Sequence, residues 1–541
     1  MLNLRLWLSG FFIAGLISSG SHALTVSDIE LVQNPNPAVP LAGILTFKTD
    51  VPAEATITIE AGEKESTVVP PNQKWVREHS LWVLGLRPGK TNKVSLQLRD
   101  QSGVTIEVKA GEIVTEALHD EFPKIELTMS RPRKMEPGIT IVPCYKWEGL
   151  GPADDYGLVL GLDAHGEVVW YYETDHPISE LIQTAHGTML HQINRNGVMH
   201  EIDMLGNVVR RWHTTRVPKE GVPDDSIPVD TDTFHHTHSV MPNGNILMLS
   251  TEIRHFEEYP SSEAKPNGRT RPTDVIGDVI IEFTPEGKTV REWKTLDILD
   301  PLRLGYGSLG TGFYAAVYKD MRKKPAKDWS HTNSIEYDEA TDTAVLSSYH
   351  LDVVYKIDMK TGELIWLLGT HQGWKDPWKK HLLKRTDPEM EWHYHQHAAK
   401  ITPHGTILMF DNGTNKAFPP DKPKPVEEQF SRAVEYRIDE KTMEVTQVWS
   451  YGGPDEDLFF SPFISETDWL PVKGNVLITD GGHMRGKNGK PSGSIFGGHH
   501  WARILEVTHD SPADKVWEII MDDPARGWAV FRADRIPSLY L

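Results

Sequence analysis

Three histidines, His236, His331 and His397, each open the same short phrase in this chain. After each comes a strand-like run, then a turn, then a second apolar run. The turns are Pro242–Gly244, Asp338–Asp342 and Pro403–Gly405, and the runs after them are Asn245–Leu249, Thr343–Ser347 and Thr406–Phe410. Imidazole changes charge near neutral pH, so it serves as nucleophile, general acid or base, or metal ligand. A lone histidine more often packs or caps. Three at one equivalent position of a repeated hairpin predict a shared centre acting on a small anionic group. Counting along the second strands aligns Tyr349, Asp411 and Asp480 at their ends, preceded by Ser348, Phe410 and Thr479. These are secondary candidates, because aspartate there often only holds a strand end or a turn.

The elements that must position the histidines form a longer repeat. Each unit has a hairpin, an alternating strand carrying an acid, a second turn and a strand ending in tryptophan. The closing tryptophans are Trp170, Trp212, Trp293, Trp366, Trp449 and Trp517. Six units of four short strands, with almost no helical periodicity, predict an all-β fold whose main part, residues 139–541, is a six-bladed β-propeller. The inner strand of each blade lines the central channel, so histidines on adjacent blades point at one axis. Insertions at Val217–Asp232, Phe256–Gly277 and Pro301–Trp329 vary the period and would crowd one mouth. Residues 24–118 alternate with period two in Ile44–Thr49 and Ala55–Glu60 and predict a small N-terminal β-sandwich. Pro123, Pro132 and Pro137 mark a linker between the two.

Residues 1–23 read as a cleaved signal peptide, with Arg5 as the early charge, Leu6–Ile17 as the apolar run and small residues at Ser21 and Ala23. That run is too short to span a bilayer, and no later stretch is apolar enough. The expectation is an exported, periplasmic protein that is free of the membrane once the signal is removed. A formal net charge of −20 disfavours nucleic acid and anionic lipid as partners. Cys144 is the single cysteine, so no intrachain disulfide is available. Lys146 and Glu148 follow it where sulfatases that make formylglycine carry other residues, which excludes that chemistry.

The Trp-ended repeats, the HTHS string from His236, the string from Gln396-His397 to Phe410–Gly413, the segment Ser431–Asp439 and the tail Arg532–Tyr540 together resemble the bacterial arylsulfate sulfotransferases. The resemblance covers nearly the whole mature chain. It implies an often homodimeric periplasmic propeller that moves a sulfuryl group from a phenolic sulfate ester to a phenolic acceptor, without cofactor or nucleotide sulfate donor. No phosphate-cradling glycine loop opens a helix here, which agrees. Carried over by position, His397 is the nucleophile that forms a sulfohistidine and His331 the acid–base group. His236 binds the sulfuryl oxygens or holds the neighbouring ring, and Asn333 is an extra donor; Thr479, from the strand-end alignment, joins Asn333 and Tyr349 as a substrate-binding candidate.

The chain departs from the family at Tyr349, where members carry an arginine able to clamp sulfate oxygens in bidentate fashion. His350 is a possible substitute cation, although strand alternation would point it to the opposite face. Two other functions stay open on the residues alone. One is a metal-dependent propeller lyase or hydrolase in which the three histidines hold a divalent ion. The other is a non-catalytic binding propeller.

Overall fold

The computed structural model describes residues 24–62, 64–68, 75–148, 151–152, 155–193, 197–218, 221–315, 317–318, 321, 324–494 and 497–540. The predicted signal peptide lies outside the described residues. Within them the fold is all-β apart from single turns of helix. No described helix is long and apolar enough to cross a membrane.

The N-terminal unit is built on one long strand, Ala42–Ala61, whose side chains alternate between buried and exposed along most of its length. Its first half pairs with Val26–Gln33 on one edge and Val76–Leu84 on the other. Its second half pairs with Thr91–Asp100 and Lys64–Val68. The expected sandwich of two separate sheets is therefore a single hydrogen-bonded sheet of six strands, because the same strand runs through both halves. The sheet closes on its own apolar face around Leu45, Phe47, Ile57, Leu96 and Leu98. Gly43 and Gly111 permit the two ends to approach: a side chain at Gly43 would collide with Ile113, and one at Gly111 would press on Leu31. The same apolar cluster continues into Val142, Leu158 and Trp517 of the larger unit.

Six further sheets follow in chain order. Their four successive antiparallel strands begin at Ile178 in the second sheet, His235 in the third, Thr332 in the fourth, His397 in the fifth and Glu466 in the sixth. The first sheet is assembled differently: Ile139–Glu148 pairs outward with Gly157–Leu162 and inward with Gly527–Val530 and Asp534–Ile536 from the end of the chain. The stretch read as a linker contains a strand, Ile125–Ser130, that adds an outermost member to the sixth sheet beside Lys515–Met521. The segment that leads into the first sheet and the C-terminal tail thus both link the first and last sheets.

The six repeat tryptophans all fall on the fourth strand of their sheets except Trp170, which sits on the outermost strand of the first. Five of their indole N–H groups donate to the following sheet: Trp170 to the Met204 carbonyl at 3.1 Å, Trp212 to Pro285 at 2.9 Å, Trp366 to Glu440 at 2.9 Å, Trp449 to Asp510 at 3.1 Å and Trp517 back to Ala164 of the first sheet at 3.1 Å. Trp293 covers Gly362 of the fourth sheet, where a Cβ would strike its ring. Burying so large a ring while satisfying its one donor explains why tryptophan recurs at this position. Apolar clusters fill the seams between neighbouring sheets, for example Tyr172 with Ile178 and Met189 between the first and second.

Arg532, from the C-terminal tail, joins the inner edges. Its guanidinium donates to Glu180 of the second sheet, Thr237 of the third at 2.7 Å and the Asn333 carbonyl of the fourth at 2.5 Å. Glu466 of the sixth sheet lies 3.7 Å from its Nε.

Candidate functional site

The three predicted histidines open inner hairpins, but they do not share one register. Leu249, Ser348 and Phe410 are equivalent in the second strands, and their ladder partners are His235, Thr332 and His397. His236 therefore stands one residue later than His397's position, and His331 one residue earlier. Each hairpin breaks its ladder at this point, between His235 and His238, Thr332 and Ser334, and His397 and Lys400. Left-handed backbone accompanies the breaks, with φ of 53° at His236, 49° at His331 and 53° at Ala398. Side chains other than glycine rarely occupy that region, and bulges of this kind re-aim side chains. Backbone geometry, not repeat position alone, brings the rings together.

The His236 and His331 ring centroids are 5.0 Å apart. Tyr349 touches both remaining members, with its ring 5.8 Å from His331 and 5.0 Å from His397. All four side chains are deeply set, and His236 and His397 are 5% and 3% exposed.

His397 is held in a defined tautomer. Its Nδ1 lies 2.7 Å from Asn412 Oδ1. The Asn412 amide nitrogen donates to the carbonyls of Ser461 at 2.8 Å and Ile464 at 3.0 Å, so its oxygen must be the atom facing the ring. A carbonyl oxygen only accepts, so Nδ1 carries the proton and Nε2 keeps its lone pair. Burial pulls the ring's pKa down to about 3, and the Arg532 and His331 charges add to that against the Asn412 bond. His397 is a neutral imidazole throughout the physiological range.

His331 is arranged the opposite way. Its Nδ1 lies 2.6 Å from the Asp328 carboxylate. Burial pulls its pKa down, but the Asp328 charge and hydrogen bond outweigh burial and lift it above the ordinary value. His331 thus holds a proton at a pH where His397 cannot. Two imidazoles with pKa values pushed apart are the usual mark of an acid beside a nucleophile.

His236 is held by its neighbour His235. His235 Nε2 donates to the Ser250 carbonyl at 2.8 Å, which leaves His235 Nδ1 as the acceptor facing His236 Nδ1 at 2.8 Å. His236 therefore donates through Nδ1 and presents Nε2 as an acceptor. Burial, with the neighbouring His331 charge, keeps it neutral. In that form its Nε2 only accepts, and its ring stands edge-on to that of His331.

The remaining predicted residues are placed as follows. Asn333 donates to the Gln396 carbonyl at 2.8 Å and accepts from the Ala398 N–H at 3.3 Å, so it brackets the backbone of His397. Thr479 accepts from the Ala533 N–H at 3.0 Å and anchors the tail that carries Arg532. Tyr349 donates to the Pro462 carbonyl at 2.7 Å, with its ring facing the histidines. Asp411 receives Arg432 at 2.9 Å, and Asp480 receives Ser461 at 2.6 Å, both holding strand ends. His350 does not point away from Tyr349's neighbours. The strand ends at Ser348, and His350 lies 5.0 Å from His331. Burial holds its pKa near 3, so it supplies no cation. The imidazole nearby that keeps its proton to higher pH is His395, 4.6 Å from Tyr349, where the Asp352 charge overcomes burial and raises its pKa.

Asp328, Asn412, His395 and Arg532 were not predicted as site residues. Asp328 lies three residues before His331 and Asn412 directly after Asp411, so only proximity to a predicted residue could have marked them. The metal-triad expectation loses its geometry. Among the described residues, two groups bring ligand atoms within 4.8 Å of one another, and neither contains His236 or His397. One of these, Asp328 with His331 and His350, is already bound internally, since His350 Nδ1 also donates to the Asp328 carbonyl at 2.8 Å.

Residues 125–523 match the family described as arylsulfotransferase (ASST), and residues 30–116 match the arylsulfotransferase Ig-like domain. The chain is 27% identical over 377 residues to the arylsulfate sulfotransferase AssT of Escherichia coli O6:H1 (strain CFT073), a match covering 62% of this chain and 59% of that protein. It is 24% identical over 592 aligned positions to the arylsulfate sulfotransferase AssT of Lelliottia amnigena, covering 94% of both. A solved Bacteroides caccae protein of unknown function aligns at 11% identity with a TM-score of 0.38, covering 73% of this chain and 98% of that one. With its family match running across most of its length, this chain belongs to the arylsulfotransferase family.

Proposed function

We propose that the six sheets are the blades of a propeller and that the ring cluster at its axis transfers a sulfuryl group from a phenolic sulfate ester to a phenolic acceptor. The tryptophan bonds that run from five of the six sheets to the next, including from the sixth to the first, support the closed ring. The transfer passes through His397 and needs no nucleotide donor. The observation that carries this reading is the Asn412 bond, which leaves His397 Nε2 as a lone pair in the same cluster as His331, whose proton Asp328 holds.

In the first half-reaction His397 Nε2 attacks sulfur, an N–S bond forms and the S–O bond to the phenol breaks. The departing phenolate takes the proton held by His331. In the second, the acceptor phenol gives its proton to neutral His331, its oxygen attacks sulfur, and the N–S bond breaks. Splitting one displacement in two is the ordinary gain from a covalent intermediate. Asn333 and the left-handed Ala398 fix the backbone at His397, and His236 steadies His331. An exported, periplasmic location and a homodimer belong to the same reading.

The test is to mix the protein with a phenyl sulfate and no acceptor, quench at neutral pH, and weigh the intact chain and its peptides. A mass increment of one sulfuryl group on the peptide containing His397 is expected. Steady turnover with the increment on another residue, or on none, would rule the assignment out.

Tyr349 occupies the place of the family arginine, next to both reacting imidazoles. A sulfate-clamping donor contributes about 2.7–4 kcal/mol to a transition state. Tyr349→Arg is therefore expected to keep or raise turnover of simple phenyl sulfates, by up to about 10²-fold. A fall of several orders of magnitude would show the tyrosine itself to be the adapted group.

A further inference from the structure

The second sheet carries three histidines that sulfuryl transfer does not use. His176 lies in the connection from the first sheet to the second, while His191 and His200 face one another across adjacent strands. The ring centroids are 5.9 Å apart for His176 and His191, 6.0 Å for His176 and His200, and 5.5 Å for His191 and His200. One ligand nitrogen from each lies within 4.8 Å of the others. His191 is fully buried and His200 nearly so.

Both ring nitrogens of His191, both of His200, and Nε2 of His176 are buried without a hydrogen-bond partner among the described residues. Each neutral imidazole has an N–H that needs an acceptor, and folded proteins seldom leave one buried and unpaired. Three such rings in mutual contact are poorly explained as packing. We propose that His176, His191 and His200 form a binding site for a zinc-class divalent cation that ties the first-to-second-sheet connection to the body of the second sheet.

The donor set suits that class. Imidazole favours zinc, copper or nickel over magnesium and calcium. Three histidines and one water make a four-coordinate site, in which nitrogens about 3.3 Å apart lie at bonding distance from zinc. Small ring rotations supply the contraction. His176 Nδ1 meets the Asp175 carboxylate at 2.9 Å, which fixes the tautomer that turns Nε2 toward the other two rings. Burial holds both His200 and His191 well below the ordinary histidine value, so both are ready as ligands. Arg211 pairs opposite His200, but its guanidinium is directed to Asp225 at 3.4 Å. A metal cross-link would serve a chain whose single cysteine rules out an internal disulfide.

The site shares no residue with the His331–His397 cluster and stands whether or not that cluster transfers sulfuryl groups. The test uses the full chain stripped with chelator and titrated with Zn²⁺ by calorimetry and with Co²⁺ by visible ligand-field absorption. One tightly bound ion per chain, a tetrahedral Co²⁺ spectrum and a higher Tm with Zn²⁺ are expected. His176→Asn and His200→Gln should each weaken binding at least 100-fold and abolish the Tm shift. Asp175→Asn, at an exposed position that leaves the core intact, should weaken it about 10- to 100-fold. His350→Asn should leave it unchanged. Absence of tight binding to the unmodified protein, undiminished binding in both His176→Asn and Asp175→Asn, or loss only in His350→Asn would overturn the proposal.

Discussion

Replacing His397 with alanine is expected to slow phenyl sulfate transfer by roughly 10⁶-fold, the scale on which removing a nucleophile acts when its partners stay in place. That corresponds to about 8 kcal/mol of barrier. The fold should survive. His397 is the first residue of its strand, and its ring is held by Asn412. The Asn412 amide remains anchored to Ser461 and Ile464 without it, and the Asn333 bonds to the backbone on either side are untouched. Burst kinetics should vanish along with steady turnover, since no covalent intermediate can form. Small azoles such as imidazole, added from solution, should restore part of the rate by occupying the space left by the ring. Retained turnover within tenfold of the original, in protein with unchanged circular dichroism, would remove His397 from the mechanism.

The architecture was legible because its signals are periodic. Five of the six repeat tryptophans satisfy their N–H on the next sheet and the sixth, Trp293, covers a glycine there, so the same residue recurs at the same place. The gathering of the three histidines was legible for a related reason, since each opens the first hairpin of its sheet. Their true offsets were not, because a bulge adds residues without leaving a pattern in composition. The strand Ile125–Ser130 was missed inside a proline-marked stretch, for its partner lies at the other end of the chain. Asn412 stood in a string that already looked important, but its part depends on what holds the far end of its amide. Asp328 belongs to no repeat at all. It ends the long insertion, on a two-residue strand running parallel to Val275–Ile276, and that pairing sets it beneath His331.

Asp328 gives the second large effect. Asp328→Asn is nearly isosteric and expected to cut transfer at neutral pH by about 10²- to 10⁴-fold, the range for losing a general acid or the group that orients one. Asp328 is a positioning residue, and its action should be visible in the pH profile. The His331 pKa is raised because the carboxylate charge and hydrogen bond overcome burial. Its acid form is complete below that pKa and lost as pH rises through it, so wild-type transfer should fade on the alkaline side, above the ordinary histidine value. With asparagine in place, only the Asp278 charge still opposes burial and the pKa falls. The alkaline limb should then move to lower pH. The defect should also depend on the donor: a nitrophenyl sulfate, whose phenolate leaves readily unprotonated, should lose far less rate than a phenyl sulfate. A merely structural aspartate would depress all donors alike and leave the limb where it was, and that pattern would deny His331 its part as the acid.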